Sequence, residues 1–337
     1  MTPHSFTPRR RFLQTSAALA ASAALPSVMA QSARGPGGYP NKPVRIVVAF
    51  PPGGLTDAYA RLFADHLAAK TGQTVVVDNK PGAGAVIAID AVVKSPPDGY
   101  TLLMTTSGTV WQNRVLFSKL PYNLEKDIAP IAIYPSGPLV VAVSDKVPAR
   151  NFKEFIAWAK SNPNAVNMGT YAPGSYPHMV ADQTNRREGT KIQSVHYRGE
   201  APMWVDVVSN QVQIAIGSYQ AFNTVSTRGV RPIGVTGTYR SPKLPDVPTL
   251  QEQGITDILV GLEGGLPLIA PAGTPEPILR YLSDVVVEGN PTERAVRLRE
   301  NFAIPSSPKG LDATRRDWDR EMPVWVKVGA DLGIKLD

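Results

Sequence analysis

The sequence contains no cysteine. That excludes disulfides, thiolate nucleophiles and cysteine-ligated metals together. Histidine is nearly as scarce: His4, His66, His178 and His196 are the four, and no two stand at a metal-ligand spacing. No metal site is expected. A phosphate-binding loop is missing as well, because Gly54 is followed by Leu55-Thr56-Asp57 where Gly-Lys-Ser/Thr would be needed. The segment Gly82-Ala83-Gly84-Ala85-Val86-Ile87 holds half of a dinucleotide fingerprint, with Ile87 in the place of the third glycine. No cofactor is expected. Beyond the N-terminus no apolar run reaches membrane-spanning length.

The first thirty residues contain no acid. Arg9-Arg10-Arg11 precede a short alanine-rich apolar stretch, 12–25, and Val28-Met29-Ala30 supplies small or modest residues for a cleavage site. Residues 1–30 are therefore expected to be an export signal. The order Arg9-Arg10-Arg11-Phe12-Leu13-Gln14 is similar to a twin-arginine signal, although Pro8 replaces the usual Ser or Thr; a general secretory signal with a basic start is the other reading. Losing this segment lowers the net charge from +7 to +4, with 32 basic against 28 acidic residues. So mild and dispersed an excess does not argue for nucleic acid.

Residues 31–43 are Gly- and Pro-rich and read as a flexible lead-in. Strand and helix patterns then alternate, the mark of an α/β fold with largely parallel sheets. Strands are predicted at 44–49, 75–77, 101–105, 165–171, 193–197, 212–216 and 233–235. Helices are predicted at 56–70, 86–93, from 179 onward, and at 201–208, 276–288 and 312–332. In the first helix Tyr59, Leu62, Phe63, His66 and Leu67 share one face, and Gly72 stands where a C-cap belongs. The apolar, Gly-rich segment 261–270 is a candidate for the chain crossing back to the first lobe.

Two stretches match in plan. VVAFPPGGLTD (47–57) and MGTYAPGSYPH (168–178) both run strand, aromatic residue, Pro-Gly, polar residue, helix. Glycines at a strand-to-helix turn let backbone N–H groups face an anion, with the helix dipole behind them. The donors expected in the first loop are Gly53 to Thr56, with Thr56 or Asp57 capping the helix. A tight turn without a ligand is the competing reading, and for Asp57 a plain cap. Ser175 and His178 also allow a hydrolase reading, but Gly-Ser-Tyr-Pro-His is not a nucleophile elbow and no acid is placed to orient the histidine. No catalytic residue is assigned; Ser175 is read as a hydroxyl donor to a ligand. Tyr176, Tyr197 and Tyr219 sit at strand-to-helix junctions, where they either pack the core or wall a pocket. Arg198 is either a cleft cation or a solvated surface residue.

The segments 39–57 (YPNKPVRIVVAFPPGGLTD), 77–103 (VDNKPGAGAVIAIDAVVKSPPDGYTLL), 195–202 (VHYRGEAP), 244–254 (LPDVPTLQEQG) and 268–278 (LIAPAGTPEPI) are specific enough to name a resemblance. The chain resembles the Bug family, periplasmic substrate-binding proteins of tripartite tricarboxylate transporters. The resemblance implies a two-lobed, hinged, type II-like solute-binding fold, each lobe a sheet flanked by helices. Lobe 1 is expected at 44–142 plus 261–337 and lobe 2 at 143–260. It further implies a periplasmic, non-enzymatic monomer that captures a small organic acid for uptake through membrane subunits. A binder feeding a sensor, without its own transporter, is an alternative. The implied site is Phe50, Gly53, Gly54, Leu55, Thr56, Asp57, Thr106 and Ser107 from one side, and Gly174, Ser175, Tyr176, His178, Tyr197 and Ser218 from the other. Two departures stand out. Members often carry Phe-Asp-Ser where this chain has Ile216-Gly217-Ser218, and Asn-Pro where it has Asn113-Arg114. Losing an acid and gaining an arginine would favour a more anionic or bulkier ligand. An aromatic dicarboxylate, an aliphatic one and a neutral carboxylate-bearing solute all fit.

Overall fold

The computed structural model describes residues 34–262 and 264–336. The expected export signal, 1–30, and the first residues of the lead-in lie outside the described residues.

The chain runs β1 (Val44–Val48), α1 (Leu55–Thr71), β2 (Val75–Asn79), α2 (Val86–Val93), β3 (Thr101–Met104), α3 (Ser107–Leu116) and β4 (Ile128–Pro135). It continues through β5 (Val140–Ser144), α4 (Phe152–Ser161), β6 (Asn167–Thr170), α5 (Tyr176–Glu188), β7 (Gln193–His196), α6 (Glu200–Val208), β8 (Ile214–Gly217), α7 (Tyr219–Asn223) and β9 (Val230–Val235). The last elements are α8 (Ile258–Gly261), β10 (Gly265–Pro271), α9 (Glu276–Gly289), α10 (Glu293–Asn301) and α11 (Leu311–Leu332). They build two five-stranded sheets, β2-β1-β3-β10-β4 and β7-β6-β8-β5-β9.

The two sheets share one plan. Three parallel strands, β2-β1-β3 or β7-β6-β8, are followed by one antiparallel strand that arrives from the other sheet. That visitor is β10 in the first sheet and β5 in the second. The parallel strands are covered by helices, so the run Val44-Arg45-Ile46-Val47-Val48 is almost wholly buried instead of alternating. In α1 the faces fall as the spacing predicts, with Tyr59, Leu62, Phe63 and Leu67 buried and Gly72 left-handed at φ 69°.

The crossings differ from expectation. Val140 to Ala142, expected in lobe 1, belong to β5 in the second sheet. The first crossing is therefore 136–139, where Pro138 interrupts two apolar runs, and the second lies between α8 and β10. β4, β5, α3, α4, α7, α8 and α10 carry no counterpart in the sequence expectations. For α4 a signal exists: Asn151 caps the helix, accepting from the Glu154 N–H at 2.9 Å, while the Glu154 carboxylate reaches back to the Arg150 N–H at 2.7 Å.

Helix α11 packs along α3 and β4 and also touches α5 of the second sheet. A continuous buried cluster runs from Val47 and Leu103 through Trp111 and Trp325 to Tyr176, Val180 and Phe155. The two sheets therefore share an apolar seam. Beside it the Gln112 amide donates to Met179 Sδ at 2.9 Å, and the Leu336 N–H donates to the Leu116 carbonyl at 2.9 Å.

Candidate functional site

In the first loop, two prolines end the strand and Gly53 turns the chain at φ 93°. Gly54 follows in ordinary extended geometry (φ −83°, ψ 175°) and is the helix N-cap. Neither Thr56 nor Asp57 caps α1, so that expectation is corrected. Asp57 stands at the third helical position and is 4% exposed. Its Oδ2 accepts from the Gly53 N–H at 3.0 Å and from Arg61 Nε at 2.9 Å; its Oδ1 accepts from Asn79 Nδ2 at 3.0 Å. Asn79 Nδ2 also donates to the Phe50 carbonyl at 3.0 Å, so Asp57 fastens both ends of the loop. Burial alone would raise the Asp57 pKa, but the donors Arg61, Gly53 and Asn79 outweigh it and hold the carboxyl below its ordinary range.

This arrangement takes the Gly53 N–H out of the expected donor set. The first helical bond is Ala58 N–H to the Gly54 carbonyl at 3.0 Å, leaving the N–H groups of Leu55 and Thr56 without an acceptor inside the helix. A Cβ on Gly54 would meet nothing within 4 Å. Gly53→Ala is expected to cost about 1–2 kcal/mol from its positive φ, and Gly54→Ala a few tenths, read as urea midpoints.

The second loop repeats the device. Gly174, at φ 69°, donates its N–H to His178 Nδ1 at 2.9 Å, and His178 is again the third helical residue. Ser175 takes the N-cap place that Gly54 holds in the first loop. Its Oγ is buried and has no hydrogen-bond partner among the described residues. His178 cannot serve Ser175 as a base through Nδ1, which already accepts from Gly174. Burial first, and the neighbouring His196 ring at 4.7 Å second, push the His178 pKa down, so the neutral ring is favoured. Gly174 also lies against the first sheet's elements, since a Cβ there would come within 2.9 Å of Leu116 and Leu336.

The remaining expected residues divide. Thr106 caps α3, accepting from the Thr109 N–H at 3.3 Å, and Ser218 caps α7 in the same way, accepting from Ala221 at 3.3 Å. Ser107 is fully buried and donates to the Gly265 carbonyl of β10 at 3.1 Å, so it ties α3 to the sheet. Tyr176 is part of the seam: its hydroxyl donates to the Leu259 carbonyl at 2.9 Å and its ring faces Trp325. Tyr197 donates to Asp206 at 2.6 Å, along α6, and Tyr219 to Asn223 at 3.3 Å. Phe50 and Leu55 are half-buried and pack against core residues.

The two departures read differently in three dimensions. Arg114 is mostly buried and held by Glu125 at 2.8 Å and the Leu124 carbonyl at 3.0 Å, so it is no cleft cation. Arg198 is exposed and has no ion pair among the described residues. Gly217 is not a simple loss of an acid, because the Glu200 carboxyl lies over it. Glu200 Oε2 accepts from the Ser218 N–H at 3.0 Å and the Ser218 hydroxyl at 2.6 Å. Burial pushes the Glu200 carboxyl above its ordinary range, against the pull of those two donors. Glu200 was absent from the sequence expectations. The signal was Ser218 itself, whose place in its sheet is that of Thr106.

Two sheets of one plan, joined by two crossings and carrying twin strand-to-helix loops, define a solute-binding protein of the two-lobed kind. The model of the family described as tripartite tricarboxylate transporter family receptor matches residues 59–303, and the chain belongs to that family. It is 31% identical over 303 residues to Protein BugT of Bordetella pertussis, covering 88% of this chain and 91% of BugT. Among solved structures it is similar to R. palustris Rpa4515 with adipate, with a TM-score of 0.80 and 30% identity, covering 88% of this chain and 100% of that one. It is also similar to MatC from Rhodopseudomonas palustris with bound malate, with a TM-score of 0.75 and 26% identity, covering 86% and 100%. Among the described residues no helix is long and apolar enough to cross a membrane, and no group of three or more His, Cys, Asp or Glu could hold a metal.

Proposed function

We propose that the protein is a periplasmic receptor that captures a small organic carboxylate between its two sheets and presents it to the membrane subunits of a tripartite transporter. The observation that carries this reading is the orphaned Ser175 Oγ in a loop built like its opposite number. Each loop ties its glycine N–H to its own helix, leaving open the N–H groups of Leu55 and Thr56 in one and of Tyr176 in the other, where Pro177 has none; Ser175 adds a buried hydroxyl with no hydrogen-bond partner among the described residues. Such a set of donors suits an anion at two helix starts. Adipate in Rpa4515 and malate in MatC are ligands of that chemistry. The links on either side of 140–261 would be the hinge, with that segment moving against the rest.

Turnover is not part of the proposal. Ser175 is not hydrogen-bonded to His178, and the imidazole nitrogen nearest the loop already accepts from Gly174. An ester panel should give no Ser175-dependent product.

The test begins with mass spectrometry of ligand released from protein purified from its own periplasm. The released acid at about 100 times its dissociation constant should stabilise the protein by about 2.7 kcal/mol. Its methyl ester should give little stabilisation. Ser175→Ala should weaken the acid by about 1–3 kcal/mol, which is about five- to 150-fold in affinity. Equal stabilisation by acid and ester, with Ser175→Ala unchanged, overturns the carboxylate clamp.

A further inference from the structure

The ends of β6, β7 and β8 lie along one edge of the second sheet, and the residues that follow them form one cluster. Tyr171 follows β6, Glu200 begins α6 shortly after β7, and Ser218 follows β8. The Gly199 N–H donates to the Tyr171 carbonyl at 3.3 Å, holding the Glu200 turn beside the loop that carries Ser175. Tyr171 is the titratable group facing Glu200: burial, and then the Glu200 charge, push its phenol up.

The two donors of Ser218 both fall on one oxygen of Glu200, Oε2. Oε1 has no hydrogen-bond partner among the described residues. Glycine at 217 makes this possible. A Cβ there would stand 3.0 Å from Trp204 Nε1 and 3.2 Å from Glu200 Oε2, so a larger residue would have to push the carboxylate or the indole aside. An N–H and a hydroxyl converging on one point make a ready pair of donors for a carboxylate oxygen. Here that point is filled by the protein's own carboxylate, which turns a donor site into an acceptor. A second ligand carboxylate arriving at Oε1 would meet a like charge in a partly dry site.

We propose that Glu200 occupies the Ser218 donor pair, so that the cleft takes a ligand with one carboxylate and a hydrogen-bond donor facing Glu200 Oε1, and rejects a diacid. The proposal rests on the carboxylate clamp above and narrows it.

The test uses two matched pairs at pH 8, succinate with 4-hydroxybutyrate and adipate with 6-hydroxyhexanoate, titrated calorimetrically into the mature protein. Wild type should bind the hydroxy acid at least about tenfold more tightly than its diacid in whichever pair it binds. Glu200→Gln removes the charge at nearly constant shape, and Glu200→Ser frees the Ser218 donors. Both should gain diacid affinity, narrowing or reversing the ratio by about tenfold or more. A gain of binding is not produced by misfolding, which keeps the result readable. A wild type that prefers the diacids, binds none of the four, or keeps its ratio in both variants overturns the proposal. Ser175→Ala separates the two readings, because it should weaken diacid and hydroxy acid by the same factor. If it changes nothing while the Glu200 variants still move the ratio, the clamp fails and the role of Glu200 stands.

Discussion

Replacing Asp57 with alanine is expected to cost about 2–4 kcal/mol of stability, because it strands several donors at once. The Gly53 N–H, the Asn79 amide and the Arg61 guanidinium all converge on this one buried carboxylate. The Arg61 contribution is modest, since that side chain is about half exposed and screened by solvent. Most of the loss comes from the amide donors and from the loop that they shape. Ligand affinity should fall by at least about tenfold, since Gly53 and Phe50 would no longer be held and the open N–H groups of Leu55 and Thr56 would lose their aim. The pH dependence follows from the depressed pKa. Its stabilisation is fully present above the unfolded carboxylate value, about 4, and is lost as pH falls through the lower folded pKa. Urea midpoints of wild type and Asp57→Ala should therefore stand apart at neutral pH and converge in acid. A constant gap down to the lowest pH at which the wild type folds would mean that the carboxylate charge does not matter.

The parts of this fold that could be read from sequence are those set by neighbours in the chain. The apolar run of β1, the helical face Tyr59, Leu62, Phe63 and Leu67, and the left-handed Gly72 are all local matters of period and backbone freedom. The twin loops were legible for the same reason. What was not legible depends on contacts far apart in sequence. Two adjacent glycines give no sign of which one turns; the Asp57 carboxylate decides it by bonding the Gly53 N–H. Ser107 and Tyr176 have the composition of site residues, yet β10 claims the first and Trp325 with the Leu259 carbonyl claims the second. Glu200 is eighteen positions from Ser218 and meets it only after β7, α6 and β8 are in place.

Trp325→Ala is expected to be the more damaging substitution for the fold, at about 3–5 kcal/mol, the range for emptying a buried aromatic site. Trp325 is 4% exposed and stands midway along α11. Its ring lies 6.0 Å from that of Trp111 in α3 and 6.5 Å from that of Tyr176 in α5, so one side chain touches helices from both sheets. Close backbone lies on its other sides: a Cβ on Gly108 would come within 3.4 Å of it, and one on Gly264 within 3.3 Å. Gly264 belongs to the second crossing, so the indole also braces the proposed hinge. Neighbours fixed by secondary structure cannot collapse into the space, and the cavity cost adds to the lost burial. The effect should extend beyond stability. If the seam sets how the sheets meet, Trp325→Ala should lower ligand affinity without touching any donor, and Trp325→Phe should restore most of both. The measurement is paired: urea unfolding for stability, and calorimetry with the released acid for affinity. A variant that loses several kcal/mol yet binds with unchanged affinity would show that the seam supports the fold and has no part in how the two loops are brought together.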